Sequence, residues 1–172
     1  EQFFSTERAA TNNDDAEARE LDHDELSAAK IDGIDKERER FVLTEMPLMK
    51  RVHVRAVTHA EQSQSEDSIV VAWELDRRFD HQDKLAARWY PIETTELGER
   101  KRGTPQAYQG YGGYLKITTL QEPAGALLVE AHIVFHEPQA WFRGSNFLRS
   151  KTPLIVKENI DKLRRKLARL RE

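Results

Sequence analysis

Alternation of apolar and polar residues predicts a β-rich domain that begins near residue 41. In residues 51–58, Val52, Val54 and Ala56 fall on one face of the strand, and the basic residues between them fall on the other. Further strands are predicted over residues 41–44, 68–75, 85–92, 114–120 and 126–136. The last two are joined by the turn signal Glu122-Pro123-Ala124-Gly125 and therefore form a hairpin.

A long amphipathic helix is predicted at the C-terminus. Thr152 is suited to the N-cap and Pro153 to the first helical position. Large apolar residues then recur at spacings of 4, 3, 4 and 3, at Val156, Ile160, Leu163, Leu167 and Leu170. The pattern indicates an α+β fold, a curved antiparallel sheet whose apolar face the terminal helix covers.

The first 40 residues lack such a pattern. Residues 1–45 hold 14 acidic and 6 basic side chains, a net charge of −8, and their large apolar residues are irregularly spaced. We therefore expect residues 1–40 to be a polar, acidic, partly mobile leader, with a short helix around residues 24–31. The folded domain would then comprise residues 41–172.

Composition excludes several classes of site. The 172 residues include no cysteine, which removes disulfides, thiol nucleophiles and cysteine-ligated metals. No apolar run approaches the ~20 residues of a membrane span, so a soluble protein is expected. The chain begins at Glu1 without a signal region, which leaves two interpretations open: a mature exported, periplasmic protein or a trimmed chain.

Familiar catalytic motifs are missing from the sequence. It has no G-x-S-x-G elbow, no Walker loop and no H-E-x-x-H pair. The glycines of residues 110–113 do not precede a predicted helix, so we interpret them as letting the chain bend into the strand at Tyr114. No cofactor and no metal is expected.

Histidines supply the remaining candidates for acid–base chemistry. Glu130 and His132 share one strand face, but the larger apolar set on the other face should meet the helix, which favours a solvent-exposed position for the pair. The stripe of Arg51, His53 and Arg55 is interpreted as a solvated sheet face opposite Glu74 or Glu130. The alternative is contact with a carboxylate or phosphate group.

Two loops and the basic helix add weaker signals. Residues 93–113 are predicted to be a long irregular connection of the kind that often forms a binding loop. Tyr108, Tyr111 and Tyr114, with Trp141 and Phe142, would pack the loops together or line a pocket mouth. Residues 157–172 carry seven basic and three acidic side chains, which favours a structural role over weak contact with an anionic membrane surface; no nucleic acid is expected.

The C-terminal run resembles the START-like superfamily, also called Bet v 1-like, SRPBCC or helix-grip. There the last strand, residues 126–136, leads through Trp141-Phe142-Arg143-Gly144 into Lys151-Thr152-Pro153 and the helix. Upstream, Pro47–Arg55 is similar to the family's Pro-then-Arg-Asp segment, although Val52 stands at the usual Asp position. The resemblance covers about residues 41–171, and the family's first strand and two short helices would be abbreviated.

The resemblance implies binding or transport of a hydrophobic small molecule, such as a lipid, sterol or polyketide, between sheet and helix. The residues expected to line that cavity are apolar: Val52, Val54, Trp73, Leu115, Ile117, Val129, Ile133, Ile160 and Leu163. Two alternatives stay open. One is a cyclase- or hydrolase-type enzyme that uses His132, Glu130 or His53, and the other is a non-enzymatic module that contacts a protein or an anionic surface.

Overall fold

Strands dominate residues 17–142 and 147–169, the part of the chain that this computed structural model describes. The strands are β1 (Glu17–Glu20), β2 (Glu39–Leu48), β3 (Val52–Gln64), β4 (Ser68–Leu75), β5 (Arg88–Thr94), β6 (Arg100–Arg102), β7 (Gln106–Ala107), β8 (Tyr111–Thr119) and β9 (Leu127–Phe135). The helices are α1 (His23–Ala28), a 3₁₀ turn (Arg77–Phe79) and α2 (Phe147–Arg169). As predicted, the fold is α+β, an open antiparallel sheet followed in sequence by a helix.

The sheet is ordered β1-β2-β3-β4-β8-β9. β3 is its longest strand, with 13 residues, and it pairs with β2 along one edge. Its other edge is shared: Thr58–Gln64 pair with β4, and Val52–Arg55 pair with β5. β5 in turn pairs with β6 and β7, so part of the connection predicted to be irregular belongs to the sheet.

Residues 17–40 contain a strand and the short helix that was predicted around residues 24–31. β1 pairs with β2, and α1 follows it directly. Leu21, Leu26 and Ile31 are each at most 8% exposed and pack in one cluster with Phe41 and other residues of the sheet unit. Ile34 is partly buried against the same cluster, so the large apolar residues of this segment pack on the sheet unit although they do not form one helical stripe. Residues 1–16 lie outside the described residues.

A capping box holds the six-residue α1 in place. The Asp22 carboxylate accepts a hydrogen bond from the backbone N–H of Glu25 at 2.9 Å, and the Glu25 carboxylate accepts one from the N–H of Asp22 at 3.1 Å. Arg19 adds two hydrogen bonds to Glu25, at 2.6 and 2.7 Å. The hydrogen bond from Arg19 is the main reason that the pKa of Glu25 lies below its usual value. A helix this short depends on such contacts more than on intrinsic propensity.

Two prolines lie inside elements that they were predicted to bound. Pro47 continues β2 and pairs with His53, on a segment that β1 does not reach. Pro153 is the seventh residue of α2, so this helix begins at Phe147 and not at Pro153. Proline removes only one donor from a helix of 23 residues, and the remaining turns keep their hydrogen bonds.

The chain divides into two compact units, one ending at His136 and the other beginning at Glu137. In the second unit, Trp141 and Phe142 are both 4% exposed and meet edge to face, with ring centroids 6.2 Å apart. The backbone N–H of Trp141 donates to the carbonyl of Pro138 at 2.9 Å. These two aromatic rings therefore pack on each other within the second unit.

Gly113 is required by close packing between β8 and its neighbours. A Cβ atom there would lie 2.2 Å from the carbonyl oxygen of His132 and 2.9 Å from Cζ2 of Trp73. Both distances are shorter than van der Waals contact allows. The glycine thus lets the Trp73 ring lie against the backbone of β8, a tighter requirement than the bend expected from the sequence.

Candidate ligand-binding face

One face of the sheet carries seven of the nine residues predicted to line a cavity. Directly paired and alternate residues of an antiparallel sheet share a face. The register pairs Ala60 with Trp73, Trp73 with Gly113, and Gly113 with Ile133. By the same register the set on this face, called the apolar face below, includes Val52, Val54, Trp73, Leu115, Ile117, Val129 and Ile133.

Burial changes across the apolar face. At β3, Val52 and Val54 are 1% and 2% exposed, whereas Leu127 and Ile133 on β9 are 43% and 52% exposed. Three strand spacings separate β3 from β9, a width of about 14 Å. One side of the face is therefore closed, and the other is an accessible apolar surface rather than the wall of a closed cavity.

The two remaining residues lie on α2. Ile160 was predicted to be enclosed but is 41% exposed, and Leu154 on the same helix is 56% exposed. The side chain of Leu163 lies outside the described residues. The residues of α2 therefore belong to the second unit and retain accessible apolar surface.

Three hydroxyl groups lie within the apolar face, and we call Thr44, Thr58 and Tyr111 the hydroxyl cluster. The phenol of Tyr111 is hydrogen-bonded to the hydroxyls of Thr58 and Thr44. Burial raises the pKa of Tyr111 above its usual value, and both hydrogen bonds act in the opposite direction. No sequence pattern groups these residues, because they come from β2, β3 and β8.

The three tyrosines expected to line a pocket mouth have different surroundings. Tyr108 is 4% exposed, lies 6.2 Å from the ring of Tyr111, and has a pKa raised by burial. Tyr114 is on the opposite face of the sheet and stacks on His132, with centroids 5.8 Å apart. These tyrosines therefore do not form a single aromatic pocket mouth.

His53 is the predicted site residue whose surroundings differ most from expectation. It lies on the face opposite the apolar face but is only 6% exposed, and its Nε2 lies 3.0 Å from Oε2 of Glu45. The same carboxylate oxygen accepts a hydrogen bond from Arg102 at 3.0 Å. The solvated stripe opposite Glu74 or Glu130 is thus wrong for His53, because Tyr90 of β5 lies beside it with ring centroids 6.0 Å apart and Glu45 occupies its Nε2.

The protonation of this pair follows from its surroundings. Burial lowers the pKa of His53, and the charges of Arg102 and Arg55 add to that effect, whereas the hydrogen bond to Glu45 acts against it. A neutral imidazole can approach a carboxylate oxygen only as a donor, which assigns the proton to Nε2. Burial raises the pKa of Glu45, but hydrogen bonding to His53 and the charge of Arg102 outweigh it and leave that pKa low.

Glu130 and His132 do not meet His53. Both are exposed, and Glu130 lies opposite Lys116 on the β8–β9 pair. Three strand spacings, about 14 Å, separate β9 from β3. The general acid–base pairing considered for an enzyme is therefore not assembled by these residues. In the described part of the chain, no three or more His, Asp or Glu side chains form a group that could hold a metal.

Three cavities in the described part of the chain are lined mainly by residues other than the predicted site residues. One of about 380 Å³ lies beside α1, one of about 200 Å³ beside His53, and one of about 390 Å³ near Tyr111 and His136.

Comparisons with protein-family models, with curated proteins and with solved structures each gave no match to this chain. Neither described helix has the length and apolar composition needed to cross a membrane.

Proposed function

We propose that this protein binds or carries a hydrophobic small molecule on the apolar face of its sheet. The observation that carries the proposal is the continuity of that face across four strands, β3, β4, β8 and β9, with its outer part accessible. Burial of apolar surface contributes about 25 cal/mol per Å². A ligand with a hydrocarbon body of about 14 Å would match the width of the face.

The hydroxyl cluster supports an amphipathic ligand rather than a pure hydrocarbon. Sites for small molecules are mostly apolar, with a few polar groups that fix orientation. The hydroxyls of Thr58 and Tyr111 could exchange their mutual hydrogen bond for one to a ligand hydroxyl or carbonyl. Lipids, sterols and polyketides all combine such a group with an apolar body.

The helix-grip arrangement, with α2 packed across the apolar face, is part of the same proposal. The chain has no cysteine, so an introduced pair, Ile133→Cys with Ile160→Cys, reports on it directly. Rapid oxidation to an intramolecular disulfide is expected if α2 covers the face. A pair that stays reduced under mild oxidation would reject that arrangement.

Adjacent residues on β9 provide the test of ligand binding. Ile133 is 52% exposed on the apolar face, and Val134 is 59% exposed on the opposite face. Ile133→Ser should weaken the affinity for a fluorescent fatty-acid probe about tenfold, since burial of an apolar side chain contributes about 1.5–3 kcal/mol. Val134→Ser is the matched control and should change it less than twofold. Equal effects of the two substitutions would contradict the proposal, as would the absence of any apolar molecule from purified protein by mass spectrometry together with no probe binding.

Exposed apolar residues on α2 favour a second candidate, contact with an anionic surface. Leu154 and Ile160 are exposed, and Lys157, Lys162 and Arg164 are exposed around them. Apolar side chains beside basic ones are typical of helices that lie in the interface of anionic membranes. Co-sedimentation with vesicles containing phosphatidylserine, but not with phosphatidylcholine alone, is expected at low salt. Equal sedimentation with both would reject this candidate.

A further inference from the structure

A basic cavity of about 200 Å³ lies on the sheet face opposite the apolar face. Its charged and titratable lining comprises Lys50, His53, Arg100, Lys101 and Arg102, without an acidic member. A volume of this size would hold about six waters at ~30 Å³ each. That is enough for one small oxyanion with part of its hydration.

Two separate chain segments bring the cations together. Lys50 lies on the turn between β2 and β3, and Arg100 and Arg102 lie on β6. β5 connects them, because it pairs with β3 on one side and pairs Ile92 with Arg102 on the other. The convergence is therefore fixed by the sheet and not by a flexible loop.

The turn that carries Lys50 has an uncommon backbone. Met49 and Lys50 both have positive φ, 52° and 57°, in a turn closed by a hydrogen bond from Arg51 N–H to the carbonyl of Leu48 at 3.0 Å. Asn and Gly are the residues that such turns favour. Non-glycine residues held in this region cost about 1–3 kcal/mol each and often lie at functional sites. Lys50 therefore holds a position of backbone strain beside the cavity.

The Glu45 carboxylate beside the cavity already has two partners. Oε2 of Glu45 is bound by both His53 and Arg102, each at 3.0 Å. Lys101 lies opposite Glu93 in the β5–β6 register. Within the described residues, Lys50 and Arg100 form no salt bridge. Lys50 and Arg100 therefore have no compensating partner charge among those residues, and Arg102 beside them is held in place by Glu45. Together the three cations make the cavity a site for negative charge.

We propose that this cavity binds a phosphate group, either inorganic phosphate or a phosphomonoester. Lys50 and Arg100 supply the charge, and Arg102 presents a planar donor set whose position is fixed by Glu45. Neutral His53, held by the same carboxylate, forms the buried wall. The site lies across the sheet from the apolar face, so it does not depend on the proposed hydrophobic ligand.

The test uses the full chain at low ionic strength with two probes, inorganic phosphate and phenyl phosphate, measured by calorimetry. Saturable binding of at least one probe is expected, and binding of phenyl phosphate alone would assign the site to phosphomonoesters. Lys50→Gln with Arg100→Gln should weaken binding at least about tenfold, because hydrogen bonds to charged groups are the stronger class. Lys116→Gln, on β8, is the matched control and should leave binding within twofold.

Nuclear magnetic resonance keeps the test independent of the stability of the double variant. On addition of the bound probe, the amide and imidazole signals of His53 should shift, and those of Tyr114 and His132 on β8 and β9 should not. Binding of neither probe would overturn the proposal. So would binding that the double variant leaves unchanged, or shifts spread evenly over the surface.

Discussion

Leu26→Ala tests whether the acidic N-terminal segment is part of the folded core. Leu26 is 8% exposed and packs with Phe41, Val57 and Phe79. The substitution removes about three methylene equivalents at ~0.8 kcal/mol each, or about 2.4 kcal/mol, before any cavity is counted. Leucine-to-alanine changes in cores cost about 2–5 kcal/mol.

The lower part of that range is expected. Leu26 also lines the cavity of about 380 Å³ beside α1, so one side of it lacks packed neighbours and fewer contacts are lost. We expect a loss of about 2–3 kcal/mol in the free energy of unfolding. With an m-value of about 2 kcal/mol per M, the urea midpoint should fall by about 1–1.5 M at unchanged m.

The matched control is Ser27→Ala. Ser27 is the next residue of α1 and is exposed, so its substitution should change the free energy of unfolding by less than about 0.5 kcal/mol. Urea unfolding followed by circular dichroism and tryptophan fluorescence measures both variants. If Leu26→Ala and Ser27→Ala gave the same midpoint as the parent chain, residues 21–31 would not be packed on the sheet, and the core described here would be incorrect.

Three further outcomes follow from single contacts. Gly113→Ala should destabilise the sheet by several kcal/mol in urea unfolding, since the added Cβ would lie 2.2 Å from the carbonyl oxygen of His132; a change under about 1 kcal/mol would contradict that contact. The free energy of unfolding should fall as the pH is lowered from about 6.5 towards 5, because burial lowers the pKa of His53 and only the unfolded chain then protonates this imidazole. His53→Gln should flatten that part of the pH profile. An unchanged slope would exclude His53 as the cause. Tyr111→Phe should remove one phenol that ionises late in an alkaline absorbance titration, because burial raises its pKa. The free energy of unfolding should fall by about 1 kcal/mol. Loss of an early-ionising phenol instead would be inconsistent with the buried hydroxyl cluster.

Runs of apolar and β-branched residues predicted two of the strands closely. Residues 68–75 match β4 at both ends, and residues 126–136 match β9 within one residue. Alternation also put Val52 and Val54 on one face of their strand, and Ile133 with the apolar residues of the last strand. Period-two patterns specify which side a residue takes, and the register then joins the sides.

Prolines and sparse apolar residues were harder to interpret. Pro47 pairs with His53 near the end of β2, and Pro153 lies in a helix of 23 residues, so neither proline ends its element. Leu21 and Ile31 flank α1 rather than belong to it, so no helical period could reveal that they are buried. Their burial is decided by tertiary packing on β2 and β3.

His53 shows why the sites themselves could not be predicted. Its neighbours along the strand are basic, and the sequence therefore favoured a solvated position. Its actual contacts, Glu45 and Arg102, are 8 and 49 residues away in the chain and meet it through the β2–β3 and β5–β6 pairings. The hydroxyl cluster likewise joins residues from three strands.

β3 serves both proposed sites with consecutive residues. Val52 and Val54 enter the apolar face, and His53 between them enters the wall of the basic cavity. Deleting or inserting one residue in the first half of β3 would exchange these faces and abolish both sites together, while a two-residue change would keep each side chain on its own side. Homologous chains that retain either site should therefore differ in this half-strand, if at all, by even numbers of residues.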